Sequence, residues 1–265
     1  MLFEKVVLKG GNALSLALGL SKRTSLDLDF SIDSDFDNLN EVGDRLRTAL
    51  ERRFASAGLV VFDFRFEPKP STIREDQSPR WGGYMASFKI SEQRKFDQFR
   101  EDVEALRRNS VVIGPMQQRV FTIDLSKYEY VTGKLERELD DYTIYVYSPP
   151  MIAIEKLRAI CQQMPEYPLK RNPSPRARDF YDIHLITMVV GLDLSAPDNL
   201  DLTRHIFAAK EVPLALLGRI KDQREFHRPD WDSVKASVRD ETRDYDFYFE
   251  FVTGQVALMK ALWKK

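Results

Sequence analysis

Two aspartates, Asp27 and Asp29, occupy alternate positions in residues 26–30, where alternating apolar residues predict a β-strand. Successive side chains of a strand point to opposite faces, so we expect both carboxylates next to each other on one face. Neighbouring carboxylates repel unless a cation lies between them or water reaches them freely. Because Mg²⁺ prefers oxygen ligands and shares its remaining positions with water and phosphate, this pair is a candidate magnesium site.

A glycine pair precedes this strand and suits a phosphate group. Gly10 and Gly11 close an earlier predicted strand, and without side chains they let backbone amides approach a ligand closely. Asn12 is a candidate N-cap for the short helix that follows, and a helix N-terminus favours anions. We therefore predict a phosphate site beside the metal site. The Ser25 hydroxyl is an additional candidate hydrogen-bond donor to the phosphates.

Each of these patterns alone is more typical of ordinary structure. Asp-Leu-Asp is commonly the solvent face of an amphipathic strand, and Gly-Gly is commonly a turn. Their order, with a helix between them, is a more specific signature. The segments Gly-Gly-Asn-Ala-Leu at 10–14 and Arg-Thr-Ser-Leu-Asp-Leu-Asp at 23–29 together resemble the nucleotidyltransferases of the AbiEii/AbiGii toxin family.

Two later segments carry the same resemblance. Glu-Lys-Leu-Arg-Ala-Ile at 155–160 is similar to the family's Glu-Lys-Leu-x-Ala motif, and Arg-Ala-Arg-Asp-Phe-Tyr-Asp-Ile at 176–183 is similar to its Arg-x-Lys-Asp-x-x-Asp-Leu motif. The resemblance implies that Lys156 holds the phosphates of a nucleotide and that Asp179 acts at the active site. The sequence departs from the family's common residues at Asn12, Gln163 and Arg178.

Spacing alone gives these later residues simpler roles. Lys156 lies at the border of the predicted apolar stripe of a helix, where a lysine commonly packs its stem and extends its ammonium group. Arg176 and Asp179 are at the spacing of a helical surface ion pair, as are Arg178 and Asp182. The resemblance instead implies that Lys156 and Arg176 offset negative charge during the reaction.

The distribution of charge supports a site of two parts. The total charge of −1 does not indicate a nucleic-acid partner. However, residues 24–44 include seven acidic residues and no basic one, whereas residues 156–178 include six basic residues and one acidic one. Opposed patches of this kind suit a protein that binds a metal with one element and phosphates with another.

Other classes of site are excluded by composition. The single cysteine, Cys161, rules out an internal disulfide and a cysteine-based zinc cluster, and the three histidines lack metal-ligand spacing. The N-terminus lacks the features of a signal peptide. No segment approaches the apolar run of about 18 residues that a membrane span needs. We therefore predict a cytoplasmic protein without a membrane partner.

The order of elements predicts an α+β fold with a mixed β-sheet flanked by helices, because some strands follow one another directly while others alternate with helices. The predicted strands lie at 59–66, 84–90, 119–125 and 142–147, and the predicted helices at 41–57, 92–108 and 149–163. Asp124 ends one strand and is a candidate third metal ligand if that strand lies beside Asp27 and Asp29; it is equally an ordinary edge residue.

The character of the sequence changes after residue 148. We predict a catalytic domain over 1–148 and a mostly helical domain over 149–265 that completes the nucleotide and acceptor site. Residues 67–83 are irregular and contain Lys69 and Trp81. This segment is typical of a solvent-exposed connection, and its basic and aromatic residues also suit a flap that contacts a nucleic acid.

The family resemblance implies a Mg²⁺-dependent transfer of a nucleoside monophosphate from an NTP to RNA, at the 3′ end of tRNA, by a toxin of a bacterial toxin–antitoxin or phage-defence pair with a possible cognate antitoxin. The same residues also suit transfer to a protein or a small molecule. A catalytically silent module that binds nucleotide is a further alternative.

Overall fold

The computed structural model describes residues 5–21, 27–72, 81–114, 117–167, 169, 172–238 and 241–264. The strands are β1 (Val7–Lys9), β2 (Leu28–Ser31), β3 (Leu59–Lys69), β4 (Gly83–Glu92), β5 (Phe121–Ser126), β6 (Leu135–Leu139) and β7 (Tyr142–Val146). Within the described residues they form one mixed sheet of seven strands in the order β3-β4-β5-β2-β1-β7-β6.

Strand β2 lies at the centre of this sheet and carries the second predicted aspartate. It pairs antiparallel with β1, where Asp29 is opposite Lys9. It pairs parallel with β5, where Asp29 is opposite Asp124. The sheet therefore places Asp124 beside the aspartate strand, which was the condition for its role as a third carboxylate.

One half of the sheet is backed by a long amphipathic helix. Alternate residues of β4, from Tyr84 to Ile90, are buried in a hydrophobic cluster with residues of β3 and β5. The helix covering this cluster begins after Asn38, whose side chain accepts a hydrogen bond from the Glu41 amide at 3.1 Å. An Asn at this position satisfies one of the free amides of the first turn.

The helices follow the chain in this order: α1 (Gly10–Asn12, continued by a π-helical turn, Ala13–Ala17), α2 (Leu39–Ala55), α3 (Gln93–Phe99), α4 (Val103–Asn109), α5 (Pro149–Cys161), α6 (Ala177–Val190), α7 (Pro197–Ala209), α8 (Arg224–His227), α9 (Trp231–Ser237) and α10 (Tyr245–Leu258). Three 3₁₀ segments, Leu214–Gln223, Arg228–Asp230 and Lys260–Leu262, complete the helical part of the described chain.

Helix α5 is the central helix of the fold. Ten of its 13 residues are buried, so its apolar surface is wider than the single stripe that the sequence predicted. A helix buried on all sides carries charged residues only when they are paired. Lys156 and Arg158 are both buried in α5, which makes their partners important for the site.

Three predictions about secondary structure were wrong in detail. The helix predicted over 92–108 is two helices, because Asp102 starts α4 by accepting a hydrogen bond from the Ala105 amide at 2.9 Å. Strand β6 was not predicted, since its sequence Leu-Glu-Arg-Glu-Leu is mostly charged and exposed, as is common at a sheet edge. The strand predicted over 26–30 is observed as Leu28–Ser31, so Asp27 lies just before β2.

The predicted α+β class is confirmed by the mixed sheet and its flanking helices. The larger hydrophobic cluster includes residues of β1 and β7 as well as the helices that follow residue 148. The division into two domains at residue 148 stays a prediction. Among the described residues, no helix has the length and apolar character that crossing a membrane requires.

Candidate active site

A cavity of about 580 Å³ lies between the sheet and helices α5 and α6. This volume is within the usual range for a small-molecule site. Eight of the ten predicted site residues line it: Gly10, Gly11, Asp27, Asp29, Asp124, Lys156, Arg176 and Asp179. Of the other two, Asn12 is not among the lining residues, and Ser25 lies outside the described residues.

Asp29 is the centre of an acidic cluster on the sheet side of the cavity. Burial raises the pKa of Asp29 to about 6, although the positive charge of Lys9 opposes this shift. The carboxylates of Asp124, Glu155 and Asp27 also raise the pKa. The acids of the sheet and Glu155 of α5 are therefore close enough to repel one another.

Asp27 is held at the entrance to β2 by two hydrogen bonds from different elements. Its carboxylate accepts a hydrogen bond from the Thr122 hydroxyl on β5 at 2.7 Å. Its backbone carbonyl accepts one from the side-chain amide of Asn12 at 2.6 Å. The predicted helix cap at Asn12 was wrong, because the helical segment begins at Gly10 and Asn12 lies inside it. The buried Asn12 instead fixes the backbone of Asp27.

Asp124 pairs with a basic residue in this structure. Its carboxylate accepts a hydrogen bond from the ammonium group of Lys69, at the end of β3. In the described part of the chain, no group of three or more His, Cys, Asp or Glu side chains is arranged to hold a metal ion as it stands. A third carboxylate ligand from Asp124 thus requires that Lys69 move away.

The glycine turn makes direct contact with the acidic cluster. Gly10 has a left-handed backbone conformation, with φ +69°, and a Cβ on this residue would lie 2.7 Å from Oδ2 of Asp29. Both the conformation and the close approach require glycine. The two halves of the first sequence signature are therefore in contact.

Lys156 is clamped between two carboxylates on the helical side. Its Nζ lies 2.9 Å from Oδ1 of Asp179 and 2.7 Å from Oδ2 of Asp182, both on α6. Burial lowers the pKa of Lys156, but these two charges outweigh burial and raise the pKa above the usual lysine range. Spacing predicted an ion pair between Arg178 and Asp182, but Asp182 pairs with Lys156 instead.

Asp179 stays ionised because two cations surround it. Burial alone would raise the pKa of Asp179, but the charges of Arg176 and Lys156 hold that pKa well below its usual range. Arg176 donates to the second carboxylate oxygen, as the spacing predicted. Its backbone N–H also donates to Nδ1 of the buried His227 at 3.1 Å. No local pattern in the sequence indicated a role for His227.

The two sides of the cavity are electrostatically coupled. Burial lowers the pKa of Arg176, whereas Asp179 first, and then Glu155 and Asp29, raise it, and the net shift is upward. Contributions from both Asp29 and Asp179 indicate that Arg176 lies near the sheet acids as well as near Asp179 of α6. The cavity thus joins groups suited to a cation with groups suited to phosphate.

A second buried ionic network, which sequence reasoning missed, forms part of the cavity lining. Arg158 makes two hydrogen bonds to Glu129, at 2.8 and 3.1 Å. Lys9 and Lys210 lie 3.5 and 3.8 Å from the same carboxylate. Burial lowers the pKa of Lys210 to about 8. Arg158 belongs to a recognised motif, but Glu129 and Lys210 are distant in sequence and only the fold brings them together.

The oxygen ligands fit a hard divalent cation. Asp27, Asp29, Asp124 and Glu155 line the same cavity, and their mutual repulsion contributes to the raised pKa of Asp29. Carboxylates without histidine or thiolate partners match the preferences of Mg²⁺. Asp27, just before β2, and Asp29, within it, would hold the ion, since both line the cavity.

One protein-family model matches most of this chain. The model of the family described as Nucleotidyl transferase AbiEii toxin, Type IV TA system, matches residues 2–251. A solved structure of an antigenic nucleotidyltransferase-like protein from Paracoccidioides brasiliensis is similar at 16% identity over 88% of this chain and 84% of that chain, with a TM-score of 0.34. No curated protein matches. Since the family model covers nearly all of the 265 residues, the chain belongs to the AbiEii nucleotidyl transferase toxin family.

Proposed function

We propose that this protein is a Mg²⁺-dependent nucleotidyltransferase that transfers a nucleoside monophosphate from an NTP to the 3′ end of tRNA. The observation that carries the proposal is that Asp27 and Asp29 line the same cavity as Lys156, Arg176 and Asp179. Family membership supports the class of reaction. In the transfer, the acceptor oxygen bonds to the α-phosphorus, the bond to the β-phosphate oxygen breaks, and pyrophosphate leaves.

The sheet side of the cavity would bind the cation. Asp27 and Asp29 would provide oxygen ligands, and Asp124 would be available as a third ligand if Lys69 moved away. A bound Mg²⁺ neutralises triphosphate charge and favours ionisation of the attacking hydroxyl. The hydrogen bonds from Thr122 and Asn12 orient Asp27 before any ligand arrives, which is a form of preorganisation.

The phosphates would lie between the glycine turn and α6. Gly10 and Gly11 leave room for a close approach to the backbone, and Ser25 is proposed to add its hydroxyl. Arg176 keeps part of its guanidinium exposed to the cavity and can offset charge as the α-phosphate reacts. Lys156, which is buried beside Asp179, contributes a fixed positive charge.

Asp179 is better suited to orient Lys156 and Arg176 than to act as a base. Its pKa lies well below the usual range, so its carboxylate has little affinity for a proton at neutral pH. Both of its oxygens accept hydrogen bonds from the two cations. We therefore assign Asp179 the role of holding these cations against the phosphates.

The type IV toxin–antitoxin description of the family implies an NTP substrate and an antitoxin partner. We propose that the transfer disables tRNA and that a cognate antitoxin counteracts the toxin, in a bacterial toxin–antitoxin or phage-defence system. A cytoplasmic location follows from this substrate.

The proposal is tested by incubating the protein and Mg²⁺ with each α-labelled NTP and, separately, with tRNA, protein or small-molecule acceptors. We expect label in tRNA. We expect no label when the terminal 3′ hydroxyl of the tRNA has first been oxidised with periodate. Label found only in protein or only in a small molecule would show that the acceptor is that molecule and not RNA. No label in any acceptor, despite NTP binding, would identify a silent nucleotide-binding module.

A further inference from the structure

Trp81 is the only aromatic side chain among the described residues that line the cavity. Its indole is partly buried and packs against the larger hydrophobic core. Most other lining residues are charged and match the phosphates and the cation. A nucleotide also has a flat base whose π-face can stack on an aromatic ring, and Trp81 is the matching surface.

The position of Trp81 is set by the two glycines that follow it. Gly82 has φ +92°, and a Cβ on this residue would lie 2.7 Å from the carbonyl oxygen of Lys69. A Cβ on Gly83 would lie 1.8 Å from the carbonyl oxygen of Leu125. The backbone therefore packs directly against the ends of β3 and β5, and this contact holds the indole at the edge of the cavity.

Trp81 is supported from the helical side by Tyr167. The two ring centroids are 6.2 Å apart with an interplanar angle of 58°. Tyr167 is fully buried, donates its hydroxyl proton to the carbonyl oxygen of Lys210 at 3.0 Å, and accepts a hydrogen bond from the Gln162 amide at 3.2 Å. Because Tyr167 is fixed in this way, the Trp81 ring has a rigid support.

The cavity surface beside Trp81 is less charged than the rest. Pro70 contacts Gly82, the residue after Trp81, and Gln162 donates a hydrogen bond to Tyr167 from its neutral amide; both line the cavity. Such a surface accepts an aromatic ring without removing a charge from water. Stacking on an aromatic side chain is also tolerant of base identity, because every base has a π-face.

We infer that Trp81 stacks on the base of the bound nucleotide and is a binding residue of the active site. This inference rests on the proposed nucleotidyltransferase function. It gives Trp81 a role in nucleotide binding, whereas the sequence was typical of a solvent-exposed connection. Alanine substitutions at base-stacking aromatics weaken binding by roughly five- to a hundred-fold.

The test measures binding by calorimetry on the full chain with Mg²⁺, using a non-hydrolysable NTP and, separately, inorganic tripolyphosphate. Trp81→Leu is expected to weaken nucleotide binding by about ten-fold or more and to leave tripolyphosphate binding unchanged. Trp81→Phe is expected to retain most of the affinity. Trp263→Leu is the matched control, since Trp263 is also partly buried against the same core but is not a lining residue.

The outcomes separate the two levels of the proposal. Nucleotide binding that is unchanged in Trp81→Leu would overturn the stacking inference alone. An equal loss for nucleotide and tripolyphosphate, or an equal loss in Trp263→Leu, would show a structural role and also overturn it. A wild-type protein that binds neither ligand would overturn the proposed function itself. Nucleotide-dependent quenching of tryptophan fluorescence that disappears in Trp81→Phe would support the inference independently.

Discussion

Gly10 approaches Asp29 so closely that a Cβ on Gly10 would lie 2.7 Å from Oδ2 of the aspartate. Gly10→Ala is therefore expected to displace the Asp29 carboxylate and to abolish nucleotidyl transfer. The substitution also places alanine at φ +69°, which costs about 1–2 kcal/mol of unfolding free energy. Transfer assays and chemical denaturation measure the two effects separately.

Gly19→Ala is the control for that prediction. Gly19 has a similar φ of +64°, but a Cβ there would have no atom within 4 Å. Both variants are expected to lose similar stability, and only Gly10→Ala is expected to lose transfer. Equal activity in the two variants would show that the contact with Asp29 is unimportant.

Lys69 competes with a cation for Asp124. Lys69→Gln removes the ammonium group from the Asp124 carboxylate, so we expect binding of Mn²⁺ in the absence of nucleotide to strengthen several-fold, since one unit charge near the site is worth about 1 kcal/mol or more. Titration calorimetry or the paramagnetic resonance of free Mn²⁺ measures this affinity.

Lys89→Gln is the matched control for Lys69, because Lys89 pairs with Asp63 on the sheet and is not a lining residue. The control removes the same charge from the protein without changing the cavity. If both variants bind Mn²⁺ with the same affinity as the wild type, Lys69 does not obstruct the site.

Lys156→Met is expected to reduce the free energy of unfolding by about 3–5 kcal/mol, since it leaves the buried Asp179 and Asp182 without their common cation. Urea denaturation checks the value. Lys95→Met removes a lysine from an exposed ion pair with Glu92 and is expected to change stability by less than about 1 kcal/mol. A small loss in Lys156→Met would contradict the clamped geometry.

His227 gives the fold a defined dependence on pH. Burial lowers the pKa of His227 to about 4 from 6.5, with Arg176 adding to the shift and Asp179 opposing it. Between these values the unfolded chain binds a proton that the folded chain does not. Stability from this group is therefore present above pH 6.5 and is lost as the pH falls towards 4, by about 2–3 kcal/mol.

His227→Gln is expected to flatten this part of the stability curve, because glutamine does not titrate. Thermal or urea unfolding of the wild type and variant between pH 4 and pH 7 provides the comparison. His205→Gln is a control, because His205 is exposed and stacks on Tyr130. Parallel curves for wild type and His227→Gln would exclude His227 as the source of the pH dependence.

Much of the site was predictable because its residues lie in short local patterns. The alternating pattern predicted that Asp27 and Asp29 lie together, and both line the cavity; helical spacing predicted the pair of Arg176 with Asp179. The paired register of β2 and β5 depends on strand order, which no local pattern encodes. Asp124 was therefore left open between two roles until the sheet placed it opposite Asp29.

The residues that sequence reasoning missed are those whose partners are distant in the chain. Glu129 and Lys210 are 81 residues apart, and their contact depends on the packing of α7 against α5. His227 contacts Arg176 only through the arrangement of the last helices. Lys156 was recognised by its motif, but its spacing did not reveal that both Asp179 and Asp182 would surround it.

The most direct measurement is transfer of label from each α-labelled NTP to total bacterial RNA by the wild type and by Asp29→Asn, which removes the charge at the centre of the acidic cluster. Asp37→Asn changes an exposed aspartate of the same acidic segment outside the cavity lining. We predict label at the tRNA 3′ end for the wild type and Asp37→Asn, and a loss of at least about a hundred-fold for Asp29→Asn with the fold retained. Full transfer by Asp29→Asn, or none by the wild type with any NTP, would contradict the proposed active site.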